Sequence, residues 1–423
     1  MVPDAWTEPA RTRSTLSLRQ RGQPWIPPSG LIAAHAAHGA SWVLLAILAR
    51  QDVLVAEPRS FAWIHLVSLG WFTLVALSVL LFVIPQFTDA PWRGEPWARI
   101  GLGVFAVSAL AMVVAFWVSG YTWLWIAALG AAIGLGTYMA AALVTVAGVV
   151  KRRTTEAAIA RAFVVVLMFL AAAAGLGLLS ARSFAYGGSA LIAPAPPAHA
   201  SLAAIGWLTL LIMGVSARTM GPITGHRSPR RWAHILSSAL VSVGALALAF
   251  SQWMISAATA LSASLCVAGL GIYALDVLGL VLTSTVPHRP PQAFVGAAIV
   301  WLLLACFLGL GLVAGRTGFA PAYVFVGLIG WIGQMIIAHM HHIGVRLIAT
   351  IARGDNDETP PQELLHRGLS WSAFVLFQVA IGVACLALVW SRADWLAAAA
   401  IVGFAGWIAM SANLIRSVNV ARS

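Results

Sequence analysis

The chain has 423 residues, 61 % of them hydrophobic and 9 % charged, with a mean hydropathy of +0.90. That leaves too little polar surface to cover a water-soluble globule of this size, so lipid is the solvent for most of the chain and no room remains for a second, soluble domain. The formal net charge of +12 sits in the connections between apolar runs and not on one folded face, which sets nucleic-acid binding aside and makes membrane topology its explanation.

Residues 1–28 carry Arg11, Arg13, Arg19 and Arg21 with Pro and Ser. They lack the apolar core and small-residue cleavage site of a secretory signal and read as a retained, basic cytoplasmic tail. From 29 to 423 the chain reads as a single transmembrane domain. Runs of about 20 apolar residues recur, the length a helix rising about 1.5 Å per residue needs to cross hydrocarbon about 30 Å thick. They predict twelve spans near 31–49, 60–84, 98–118, 121–149, 162–181, 198–217, 233–252, 255–283, 293–315, 321–345, 369–390 and 395–415. With the amino terminus inside, only Arg50, Arg59, Arg182, Arg316 and Arg392 fall outside, and the other 20 of the 25 Lys and Arg residues are cytoplasmic. An odd span count would scramble this alternation. The expectation is an all-α protein of a bacterial-type inner membrane with both termini in the cytoplasm.

Ionisable groups inside a bilayer each need a partner, a cavity or a cofactor, and few are present. His35 and His38 lie three residues apart on one face of the first span, and His339 and His342 repeat that spacing on the tenth; each pair has the geometry to bind one metal. His341 stands two residues from His339, about 200° around the helix, and points to a different neighbour. The first span runs outward and the tenth inward, so these pairs sit about 5–12 Å from the cytoplasmic ends and are able to meet. His65 on the second span and His199 at the start of the sixth lie toward the outer face and belong to a second site or to interfacial hydrogen bonding. Asp276 shares a face with Tyr273 on the eighth span and is either a proton-relay group or an acid neutralised by protonation or an arginine. Each histidine also has a purely structural reading, bonded to carbonyls, water or another ring.

Other features carry less. Cys266, Cys306 and Cys385 lie in apolar runs without CxxC spacing and read as small core residues. The stretch Gly354-Asp355-Asn356-Asp357-Glu358 lacks the glycine and distal glutamate of a calcium loop and reads as solvated. Walker, Rossmann, GxSxG and HExxH motifs are missing.

An internal echo links three spans. The second reads His65-Leu-Val-Ser-Leu-Gly70-Trp71, the sixth His199-Ala-Ser-Leu-Ala-Ala-Ile-Gly206-Trp207, and the tenth carries Gly330-Trp331; the Gly-Trp pairs are 136 and 124 residues apart, four spans each time. Three repeats of four helices follow. With Met213-Gly214, Gly221-Pro222 and the stretch from Gly330 to His339, this pattern resembles the catalytic subunit of the haem-copper oxidase superfamily. It is more closely similar to the shorter relatives called oxidase-subunit-I-like or NnrS-like membrane proteins.

The resemblance covers most of the chain. It implies haem held by His65 with His339 or His341 as axial ligands, copper at His199, an electron-donor protein as partner, and a role in electron transfer or nitric oxide handling. An enzyme of this kind is a haem-dependent oxidoreductase. Oxygen-reducing proton pumping is not expected, because the seventh span has no His-His pair, the sixth has no tyrosine near His199, and the tenth-span cluster lies too far toward the cytoplasm. Depth alone pairs His35 or His38 with His339 or His342, so resemblance and depth name different partners. Two rivals stand beside this reading: a proton- or metal-coupled transporter without haem, using Asp276 and the histidines as its pathway, and an assembly factor without a cofactor.

Overall fold

The computed structural model describes residues 26–51, 57–189, 192–225, 229–254, 256–286, 289–353 and 361–422. Most of the basic tail and the acidic stretch 354–358 lie outside the described residues. Among the described residues there is no strand, and twelve helices are long and apolar enough to cross a membrane. They are α1 Ser29–Arg50, α2 Pro58–Thr88, α3 Glu95–Trp117, α4 Tyr121–Ala147, α5 Thr155–Tyr186, α6 Ala195–Thr224, α7 Arg231–Ser251, α8 Ala257–Leu282, α9 Pro290–Val313, α10 Thr317–Arg353, α11 Arg367–Val389 and α12 Ala393–Arg422. The chain is a multi-pass, all-α membrane protein. Cys266 and Cys385 are buried, Cys306 is half-buried, and none of the three is in a disulfide.

Several helices outrun their apolar cores because their ends are satisfied by specific groups. The Thr154 side chain caps α5 by accepting from the Ala157 amide at 3.3 Å, seven residues before the predicted start. α10 continues to Arg353 because Val345 and Ala349 pack with Leu364, Leu365 and Ala421. Arg353 donates to the carbonyls of Val420 and Ala421 at 3.0 and 3.2 Å, closing the open end of α12.

The described contacts form two compact units. One gathers residues from 1–35, 64–215 and 238–266 and the other residues from 36–63, 216–237 and 267–423. In the first, α3 and α4 cross with their backbones nearly touching. A Cβ at Gly101 would lie 2.6 Å from the Gly134 carbonyl oxygen, and one at Gly134 would lie 2.5 Å from the Phe105 nitrogen. Small residues at this crossing are what membrane helices need to approach so closely. The Tyr138 hydroxyl, one turn on, donates to the Leu77 carbonyl at 2.7 Å. In the second unit α11 packs along α12, and the buried Trp42 ring seats on Gly403, whose Cβ would fall 2.5 Å from it.

α2, α6 and α10 stand apart. In each the α-helix gives way to an eight-residue π-helical segment, at Leu66–Thr73, Leu202–Thr209 and Val326–Gly333. The Gly-Trp pair occupies the fifth and sixth positions of all three, so the echo in sequence is also one of backbone register. Packing repeats as well: a Cβ at Gly206 would collide with the Phe169 ring of α5, and one at Gly330 would come within 2.8 Å of Trp301 on α9. In both cases an aromatic of the preceding helix lies on the glycine. These are also the helices with most buried residues, 67 %, 61 % and 67 % of their apolar windows against 33–44 % for the other nine. The others turn large apolar side chains such as Val107, Leu110, Leu261 and Phe307 outward, as lipid-facing helices do.

Candidate histidine centres

In the first unit His65 ends the α-helical part of α2 just before its π segment, and His199 precedes the π segment of α6 by three residues. Their rings lie 6.5 Å apart, centroid to centroid, with planes inclined by 6°. The His199 Nδ1 is 2.7 Å from the Ala173 carbonyl oxygen. A carbonyl only accepts, so Nδ1 carries the proton and Nε2 holds the lone pair. Gly177, one turn beyond Ala173 on α5, makes room for the ring: a Cβ there would lie 2.9 Å from both Cε1 and Nδ1. His65 has Phe116 against it, centroids 4.8 Å apart. Both imidazoles are half-buried.

The α10 histidines lie in the second unit. Nδ1 of His339 donates to the Met335 carbonyl at 2.7 Å, and its Nε2 accepts from the Thr219 hydroxyl of α6 at 2.9 Å. His341 repeats the backbone anchor, Nδ1 to the Ile337 carbonyl at 2.8 Å, and lays its ring against Phe294, centroids 5.2 Å apart. His342 is held the other way round, its Nδ1 accepting from the Gln362 amide at 3.0 Å. The shared face expected for His339 and His342 rests on α-helical geometry. A second π segment at Met340–Gly344 changes that phase, and the two rings take different partners.

His38 is buried, accepts at Nε2 from the Trp42 indole at 3.1 Å and stacks on Phe377 at 5.5 Å. Phe377 lies 6.5 Å from Phe294, which in turn meets His341, so two phenyl rings stand in the row between His38 and His341. His35 is half-buried near the start of α1. Among the described residues no group of three or more His, Cys, Asp or Glu side chains is placed to hold one metal ion.

Asp276 meets protein. Its Oδ2 accepts from the Arg230 backbone amide at 3.0 Å, its Oδ1 lies 3.8 Å from the Arg230 guanidinium, and Arg230 directly precedes α7. The carboxylate therefore caps a helix N-terminus, where negative charge is favoured. Tyr273 does not share this partner: its hydroxyl donates to Ser216 at 3.0 Å.

Hydropathy gave no sign of the π segments, nor of a buried amide chain between α9, α10 and α11. The Trp301 indole donates to Gln378 Oε1 at 2.8 Å, and Gln378 Nε2 donates to Gln334 Oε1 at 2.7 Å. An indole N–H only donates, which fixes the direction of the chain; Gln334 Nε2, fully buried at its end, has no hydrogen-bond partner among the described residues. Polar amides inside apolar spans were the available signal.

The fold defines a polytopic helical membrane protein with histidines on α1 and on each of the three helices that share a π-helical register. No protein-family model matches the chain, and no curated protein matches it in sequence.

Proposed function

We propose that the chain is a haem- and copper-binding protein of a bacterial inner membrane, both termini cytoplasmic, acting in electron transfer or nitric oxide handling with an electron-donor protein as partner. One observation carries this reading. His199, His339 and His341 each give Nδ1–H to a backbone carbonyl, which fixes the tautomer and leaves the lone pair on Nε2; in His339 that lone pair is engaged by the Thr219 hydroxyl, which would have to turn away for the ring to bind a metal. Metal-bound histidines are almost always anchored in this way. The π segments add support, because such segments gather at functional sites.

The donors fit the cofactors. Imidazole nitrogen is a common axial ligand for haem iron and suits copper. His339 or His341 would hold haem, and His199 would hold copper. Bound haem would supply one-electron chemistry and an iron able to take nitric oxide. The chain's own part is to orient the rings and exclude water, which the aromatic surroundings of His341 and His65 favour.

The experiment is a substitution series on protein purified from haem-replete cells, read by the Soret band. His339→Ala and His341→Ala should lose most of the band, and His35→Ala should keep it. A full-length protein without Soret absorbance would reject haem and bring the transporter reading forward. A reporter fused after Ser423 should be cytoplasmic; a report from the outer compartment would overturn the topology.

A further inference from the structure

We infer that one end of the first unit holds an anionic phospholipid by its phosphate, in a basic site built from the α2–α3 and α4–α5 connections. The inference is independent of the metal reading above. Arg93, in the α2–α3 connection, is fixed through its backbone: its amide donates to the Thr145 hydroxyl of α4 at 3.0 Å, and that hydroxyl is itself anchored on the Ala141 carbonyl at 2.8 Å. Its guanidinium lies against the C-terminal end of α4, where a Cβ at Gly148 would be 3.9 Å from both terminal nitrogens. Arg161 reaches the same connection from α5 and donates to the Val150 carbonyl at 2.9 Å. Lys151, Arg152 and Arg153, in the same connection, are exposed.

Two observations point to a lipid and not to solvated charge alone. The first is how basic residues are engaged in each unit. In the second unit Arg353 and Arg416 donate to backbone carbonyls and Arg230 meets Asp276. In the first, Arg93, Lys151, Arg152 and Arg153 have no acidic partner among the described residues. Over residues 89–99 and 148–161 six Lys and Arg stand against three acids, Asp89, Glu95 and Glu156, and Glu95 is taken by Arg99. The remaining positive charge attracts anionic headgroups, and a guanidinium matches a phosphate with two parallel N–H bonds. The second observation is the apolar wall that adjoins these charges. Val144, beside Thr145, is 54 % exposed, and Trp97, one turn from Arg93, is 63 % exposed. Leu143 on α4 and Val165 on α5, one turn beyond Arg161, are exposed as well. An indole at this level is suited to the membrane interface, and acyl chains have the outward side chains of α3, α4 and α5 to lie on. A soluble phosphate would use the charge and leave this wall unused.

The test is native mass spectrometry of the purified full-length protein in detergent, titrated with phosphatidylglycerol or with zwitterionic phosphatidylcholine. Phosphatidylglycerol should bind at least about tenfold more tightly than phosphatidylcholine. Lys151→Gln, Arg152→Gln and Arg153→Gln combined change only exposed side chains, so the fold should survive; together they should weaken phosphatidylglycerol binding about 100-fold, at about fivefold per charge. Arg93→Gln should weaken it about fivefold, and Arg93→Lys, which keeps the charge, should recover most of the loss. Arg289→Gln removes the same charge from an exposed position of the second unit and should leave binding unchanged. Equal binding of the two lipids, an unaffected triple variant, or an equal loss in Arg289→Gln would overturn the inference. Displacement of the lipid by millimolar glycerol 3-phosphate would overturn it too, since the ligand would then be a soluble phosphate.

Discussion

The His65–His199 pair and the histidines of the second unit show two ways of keeping imidazoles in a membrane protein. In the pair, His199 bonds a backbone carbonyl and the rings face aromatic or glycine surfaces. In the second unit the ring nitrogens are engaged by neighbouring side chains: Thr219 on His339, Gln362 on His342, Trp42 on His38. The first arrangement spends little packing on its imidazoles and keeps a donor atom for a ligand. The second builds them into the protein, so there the same residue type serves stability as well as chemistry. A buried histidine is therefore weak evidence for a ligand until the partners of both nitrogens are known.

That contrast predicts unequal costs of removal. His339→Ala should be the most damaging, because it opens a cavity and strips Thr219 of a buried partner; about 2–3 kcal/mol is expected, seen as a lower unfolding midpoint in detergent. A near-wild-type midpoint would show that His339 is not built in. Asp276→Ala should cost about 1 kcal/mol through the lost α7 cap, while Asp276→Asn, whose amide oxygen still accepts from Arg230, should recover most of it. A proton relay would behave differently, with Asp276→Asn abolishing proton-linked activity at unchanged stability. Trp207→Phe removes the indole bond to Thr73 at 3.3 Å and should cost about 0.5–1 kcal/mol. His65→Ala, half-buried, should change the metal-free midpoint by less than about 0.5 kcal/mol; a large drop would place it with the built-in histidines and erase the contrast.

The sequence displayed the twelve spans because hydropathy measures transfer to lipid, and every span is long enough to register. Helix ends were less legible, since they depend on single polar atoms such as the Thr154 hydroxyl or the His366 Nδ1 that accepts from Leu369 at 3.2 Å. The Gly-Trp pairs exposed the echo shared by α2, α6 and α10. They could not show that each sits in a π segment, because hydropathy carries no information on whether a carbonyl pairs four or five residues onward. For the same reason, face arithmetic at 100° per residue could not show that His339 and His342 take different hydrogen-bond partners, Thr219 and Gln362. Depth grouped His65 with His199, whose rings lie 6.5 Å apart, since it needs only the rise per residue. Thr219, Gln362 and Phe294 were not legible as partners: each is brought in from another helix or a connecting segment by the tertiary fold.

The most direct measurement is the iron and copper content of one preparation of the full-length protein, purified without added metal or chelator and analysed by elemental mass spectrometry. The account predicts both metals at close to whole-number amounts per chain, the iron accompanied by extractable porphyrin and the copper lost when His199 is replaced. Protein that is folded and monodisperse yet carries neither metal above background would contradict it.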